Sequence, residues 1–180
     1  MVPSVYTGYF SAASAAAGAL IGLLFVAVSL NPESIFGENG TAQGRSMAGG
    51  AFIGLVDVFF LSLMALIPNI DLGTVAVGLG LVALVATVNL HRRLPKREFH
   101  LTLLALSAAA FVAQMTEGTL LLISPHQRSL VGDLAALSIA SLSVALARAW
   151  ALMEGRHLRS ASASAQRFGH ETPVAPDEAR

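Results

Sequence analysis

Residues Tyr6 to Pro32 read YTGYFSAASAAAGALIGLLFVAVSLNP, with no charged residue anywhere in the run. The hydrocarbon core of a bilayer is about 30 Å thick and an α-helix rises about 1.5 Å per residue, so roughly 20 apolar residues cross it. The run is long enough, and it reads as a membrane-spanning helix over residues 6–30 that Asn31-Pro32 ends. A secretory signal peptide needs a basic segment ahead of a short apolar core. Ala27-Val28-Ser29 would pass as a cleavage site, but residues 1–5 hold no Lys or Arg and the apolar run is too long. The reading is an uncleaved first helix. Within it Ser14, Gly18 and Gly22 recur at every fourth position, a ridge of small side chains that lets another helix approach closely. Tyr6, Tyr9 and Phe10 cluster at its start, where aromatic rings anchor a span at the lipid headgroups.

Working outward, residues 31–45 are polar, carry a Gly-Glu-Asn-Gly turn signal and form the longest internal loop. A second span covers 46–67, with Ser46 as its N-cap and Pro68 just past its end. The third, 72–91, follows after only Pro68-Asn69-Ile70-Asp71, which makes the two an antiparallel hairpin. Gly50 and Gly54 on the second span and Ala76, Gly80 and Ala83 on the third, with Thr87 beyond them, are close-packing faces. A basic cluster, His91 to Arg97, separates this hairpin from spans over 99–123 and 129–152, with Trp150 at the far end of the last. The fold class is therefore all-α, a polytopic bundle of five transmembrane helices within residues 1–155. From residue 156 to 180 the chain has too few apolar residues to build a core and reads as a disordered cytoplasmic tail.

Composition agrees. The chain is 54% hydrophobic and only 12% charged, with a mean hydropathy of +0.67, against about 25% charged in soluble domains. Zero net charge leaves no basic footprint for nucleic acid, and the absence of cysteine removes thiolate nucleophiles, disulfide relays and Cys-ligated metals. Arginine outnumbers lysine, whose sole representative is Lys96, in a chain rich in Ala, Gly, Val and Leu; this suggests a GC-rich bacterial genome. Orientation follows from Lys and Arg, which accumulate in cytoplasmic segments. Arg45, then Arg92, Arg93, Lys96 and Arg97, then Arg148, Arg156, Arg159, Arg167 and Arg180 fall on one side; Arg128 alone falls on the other. The N-terminus is expected outside and the C-terminus in the cytoplasm of a bacterial inner membrane.

The two hairpins share that orientation and both turn at a proline. Asp57 precedes Pro68 by eleven residues, as Gln114 precedes Pro125. A parallel duplication would make these two polar residues equivalent; coincidence accounts for the match equally well. Asp57 lies about 16 Å along the helix from Pro68, near the bilayer midplane, on a face shared with Gly50, Gly54 and Met64. Insertion scales put an aspartate there at a cost of about 2.5 to 3.5 kcal/mol, so it needs a reason. Gln114 sits at nearly the same depth. Glu117 follows one turn outward, on a face with Ser107 and Gly118, and Asp133 lies one turn inside the outer end of the fifth span. Together Asp57, Gln114, Glu117 and Asp133 form polar steps from the outer surface to the middle, whereas the inner half offers Thr87, Asn89 and Arg148. The steps have two readings. They could be a proton or cation pathway, or a polar pocket open to the outside. Alternatively a protonated Asp57 clamps Gln114 across helices while Glu117 and Asp133 reach interfacial water.

Other chemistries find no support. All five histidines lie at helix ends or in the tail, so no facing pair offers haem ligands, and no metal site or other cofactor is expected. Val131-Gly132-Asp133 has the Gly-Asp of intramembrane aspartyl proteases but lacks the first glycine and lies too near the surface. HExxH, GxSxG and phosphate-binding glycine loops are absent.

The run GALIGLLFVAVSLNPE, Gly18 to Glu33, resembles the first helix of small uncharacterised multi-pass membrane proteins of actinobacteria. The resemblance implies the general layout and carries no catalytic or binding residue. The expected function is a non-enzymatic subunit or modulator of a larger membrane assembly, with the bilayer and either further copies of the chain or another membrane protein as partners. The alternative is a proton-coupled or cation-conducting protein using the acidic steps.

Overall fold

The computed structural model describes residues 4–30, 32, 42–92, 98–124 and 128–169. Five helices follow one another: α1 (Ser4–Ser29), α2 (Ala42–Ala65), α3 (Leu72–Arg92), α4 (Glu98–Ile123) and α5 (Arg128–Gly169). Each contains a stretch long and apolar enough to cross a membrane, and the chain is a multi-pass membrane protein. Large apolar side chains such as Phe25, Val82, Ile123 and Ile139 stand exposed on its outside. In a bilayer that surface meets hydrocarbon, and a helix satisfies its own backbone groups along the span.

Helices α2 to α5 form a ring in which each packs on its sequence neighbour and α5 closes back on α2. Such up-down alternation is what short connections impose on a four-helix bundle. Helix α1 lies outside the ring over the seam between α2 and α5. The helix with most of its surface covered is accordingly α2: 56% of its apolar span is buried, against 22–33% for the other four. The interior has two apolar clusters. One gathers Phe10, Leu61, Ala65, Leu72, Ala76, Val131, Leu134 and Ala135 at the end where α1 starts and α2 turns into α3. The other joins Leu24, Ala51, Leu55 and Ala145 toward the opposite end, where Arg45 and Arg92 stand exposed. Helix α1 therefore runs antiparallel to α2 and parallel to α5. Tyr9 fixes it there by donating its hydroxyl to the Ala135 carbonyl at 2.8 Å.

The turn between α2 and α3 is built from backbone economy. The amides of Leu66 and Ile67 bond back three residues to Leu63 and Met64, both at 3.1 Å, tightening the helix into its last turn before Pro68. Asn69 then takes φ 62°, a left-handed conformation that asparagine tolerates. Asp71 caps α3: its carboxylate accepts the Gly73 amide at 3.1 Å and the Thr74 hydroxyl at 2.6 Å.

Three boundaries differ from the sequence reading. Helix α2 begins at Ala42, so Ser46 is a buried interior residue and not the N-cap; Ala42, Gln43 and Arg45 are good enough helix formers to add a further turn. The same helix closes its α-helical part at Ala65 because the next two residues adopt the tighter turn. Helix α5 continues to Gly169, so the backbone of 156–169 is helical where composition suggested disorder. Extending an existing helix through Ala, Arg, Leu and Gln costs far less than nucleating one, and it needs no core. Residues 170–180, the loop core at 33–41, the basic residues 93–97 and the Pro125 turn lie outside the described residues.

Candidate intramembrane polar site

Asp57 and Gln114 meet inside the ring. Helices α2 and α4 occupy opposite corners, and the bond between these side chains crosses the ring's diagonal. Asp57 is 4% exposed and Gln114 2% exposed. The Gln114 amide donates from Nε2 to Asp57 Oδ1 at 3.1 Å and to the Ala76 carbonyl of α3 at 3.4 Å. Both amide hydrogens are thereby used. The other carboxylate oxygen, Asp57 Oδ2, is buried and has no hydrogen-bond partner among the described residues.

The small face of α3 makes this geometry attainable. A Cβ on Gly80 would lie 3.2 Å from the Phe111 carbonyl and 2.8 Å from Met115 Cγ, so the glycine lets α4 and the Gln114 side chain lie against the α3 backbone. Ala76, fully buried, presents its carbonyl one turn away. An even closer approach occurs where Gly73 faces Gly118: a Cβ on either would sit within 2.9 Å of the other's carbonyl oxygen. Gly73 had not been singled out from sequence. Of the residues named there for packing, Ser14, Gly50, Gly54, Ala76 and Ala83 are buried and Gly18 packs against Phe59. Gly22 is exposed with nothing near the position of a Cβ. The physical reason is rotational. Each four-residue step turns about 40° past a full circle, whereas the buried positions Phe10, Ala13, Ser14, Ala17 and Leu24 follow a closer-to-heptad repeat. By its third member the ridge has left the contact.

The remaining acidic steps divide. Glu117 is half-buried, and its Oε2 is buried with no hydrogen-bond partner. Asp133 is exposed and takes no part in the interior. On α5 the inward face is carried by Leu130, Val131, Leu134, Ala135 and Ser138, so position 133 falls on the far side of the helix. The proposed descent from surface to middle therefore loses its outermost step.

A second polar layer lies one heptad toward the basic end and was only glimpsed from sequence. Arg148 on α5 is 6% exposed and donates from Nη2 to the hydroxyl of Ser107 on α4. Ser46 on α2, one turn beyond Gly50, and Thr87 on α3 are buried as well. Gly50 is what admits the arginine: a Cβ there would lie 2.6 Å from Arg148 Nη1. The legible signal was the seven-residue spacing that relates Asp57 to Gly50 and Gln114 to Ser107. Asn89, named from sequence with Thr87 and Arg148, is exposed.

Among the described residues no three His, Asp or Glu side chains converge as metal ligands would. No family model, curated protein or solved structure matches the chain. Any functional reading therefore comes from the polar groups themselves.

Proposed function

We propose that this multi-pass protein resides in a bacterial inner membrane with its N-terminus outside, and serves without catalytic chemistry as a subunit or modulator of a larger membrane assembly. The observation that supports it is the Asp57–Gln114 bond across the ring. A conduit needs polar groups that face one another across water; here both amide hydrogens of Gln114 are spent on Asp57 Oδ1 and the Ala76 carbonyl. Toward the outer end Leu61, Leu72 and Leu134 of α2, α3 and α5 pack into one apolar cluster. The geometry is that of a clamp holding opposite helices together, and a clamped bundle with a largely apolar exterior is suited to docking beside other spans. The orientation rests on the basic residues, which gather at the end where α2 begins and α3 finishes.

A second reading, proton or cation transfer, is favoured by one specific observation: Asp57 Oδ2 and Glu117 Oε2 are buried acceptors with no hydrogen-bond donor among the described residues. Such oxygens can take up a proton or a cation. Flux measurements on purified protein in liposomes separate the readings. The clamp reading expects wild-type vesicles to leak protons and monovalent cations no faster than empty ones, at either sign of membrane potential and from mildly acidic to mildly alkaline pH. Wild-type flux that disappears in Asp57→Asn would replace it with the transfer reading, since an amide neither releases a proton nor carries negative charge.

A further inference from the structure

The seam between α4 and α5 is the loosest in the ring, and it is hollow. Ala109, Ala110 and Ala113 on α4 stand opposite Leu137, Ala140 and Val144 on α5 around a groove of ≈ 300 Å³. Gly50 and Gly54 of α2 form its floor. A void of roughly 150 Å³ suffices to take up benzene, so this one has room for a length of a single hydrocarbon chain. It is not sealed. Leu106, Ala109 and Ala140 on its rim are exposed, so the groove opens sideways, toward hydrocarbon, at the height of the spans.

One end of the groove differs from the rest. There Ser107 and Arg148 line it, both buried, and Arg148 is the one charged residue in its lining among the described residues. Arg148 lies two residues inside the end of its span, and Trp150, exposed, marks headgroup level just beyond. From Leu137 to Arg148 the helix climbs eleven residues, about 16 Å, against about 15 Å for half of a 30 Å hydrocarbon core. The groove thus has the length of one leaflet, apolar toward the midplane and cationic at the headgroup end. A guanidinium matches phosphate oxygens in charge and in fork geometry.

We propose that this groove holds one acyl chain of an anionic phospholipid from the leaflet on the basic side, with the lipid phosphate at Arg148. The site is independent of whatever Asp57 does, since Asp57 is not in its lining. Gly50 contributes by leaving the space into which the arginine folds, and the alanine and serine run of α4, residues 107–110, keeps that wall thin.

The test places a fluorescent reporter on the groove rim. The sole tryptophan is moved there with Trp150→Phe and Leu106→Trp, and the variant is checked for an unchanged unfolding transition. It is reconstituted in phosphatidylcholine vesicles containing a minor fraction of chain-brominated phosphatidylglycerol or, separately, chain-brominated phosphatidylcholine. The site predicts a relative association constant for the anionic lipid about fivefold above the zwitterionic one, the size expected of one arginine at an anionic headgroup. Adding Arg148→Gln should bring the ratio to unity. Adding Ala113→Phe, which fills the groove without altering charge, should abolish the preference as well, and it serves where Arg148→Gln does not fold. Equal quenching by both lipids in the reporter protein overturns the proposal, as does a preference that survives either change. Weak quenching by both lipids overturns it too, because a second copy or another helix then covers the seam.

Discussion

Replacing Asp57 by leucine removes the Asp57–Gln114 bond that ties α2 to α4 across the ring while keeping the number and branching of side-chain heavy atoms. Gln114 would retain only the Ala76 carbonyl, at 3.4 Å, for its two amide hydrogens. A buried donor left without a partner costs about 1–3 kcal/mol in general, and interhelical hydrogen bonds in membranes have measured about 0.6 on average and about 1.7 at most. We expect Asp57→Leu to destabilise by about 1–2 kcal/mol on those grounds. Asp57→Asn keeps an oxygen for Gln114 to donate to and exchanges one unpartnered buried group, Oδ2, for another, so it should stay within about 1 kcal/mol of wild type. The decisive quantity is the double-mutant cycle. Removing both partners, Asp57→Leu with Gln114→Leu, should restore much of the loss and give a coupling of about 0.6–1.7 kcal/mol. The assay is reversible unfolding of detergent-solubilised protein in rising fractions of a denaturing detergent, followed by helical circular dichroism. A coupling below about 0.3 kcal/mol, the usual scatter of additivity, would refute the clamp.

Two further outcomes follow from the packing and the charge pattern. Gly118→Ala drives a methyl to 2.9 Å from the Gly73 carbonyl and 3.0 Å from Ala76 Cβ, and in the same unfolding assay should cost about 1–3 kcal/mol by overpacking. Gly22→Ala, which meets nothing within 4 Å, should be neutral or stabilising by up to about 1 kcal/mol. Reporter fusions should place residues 36–44, 94–96 and the chain after 155 in the cytoplasm, with the N-terminus and 124–128 outside; a periplasmic signal from a fusion after 155 would rule out the five-span alternation.

The spans were legible because length and apolarity suffice to define them in a bilayer. The Asp57–Gln114 pairing was legible for a related reason: a polar side chain at mid-span is costly enough that two at one depth are expected to find each other. What the sequence withheld is which way each helix faces. In water the apolar stripe of a helix marks its inner side, but here lipid-facing Val82 and interior Val58 are chemically alike. Small residues were the only guide, and they misled at Gly22 and were overlooked at Gly73. Arg148 escaped because an arginine near a span's end ordinarily snorkels to the headgroups. Only the glycine opposite it, Gly50, signals that its side chain folds against α2 and is buried at the end of the groove.

The separation of 57 residues between the partners of the central bond has a bearing on biogenesis. At synthesis rates of about 5–20 residues per second, α2 emerges roughly 3–11 s before Gln114 exists to receive it. During that interval Asp57 has no donor on α4, and the face with Gly50 and Gly54 has no α5 to cover it. The nascent α2–α3 hairpin is therefore the stage at which this chain most needs protection by the insertion machinery. A chain truncated before α4 leaves that state permanent, so such a fragment is expected to be handed to membrane proteolysis and not to accumulate.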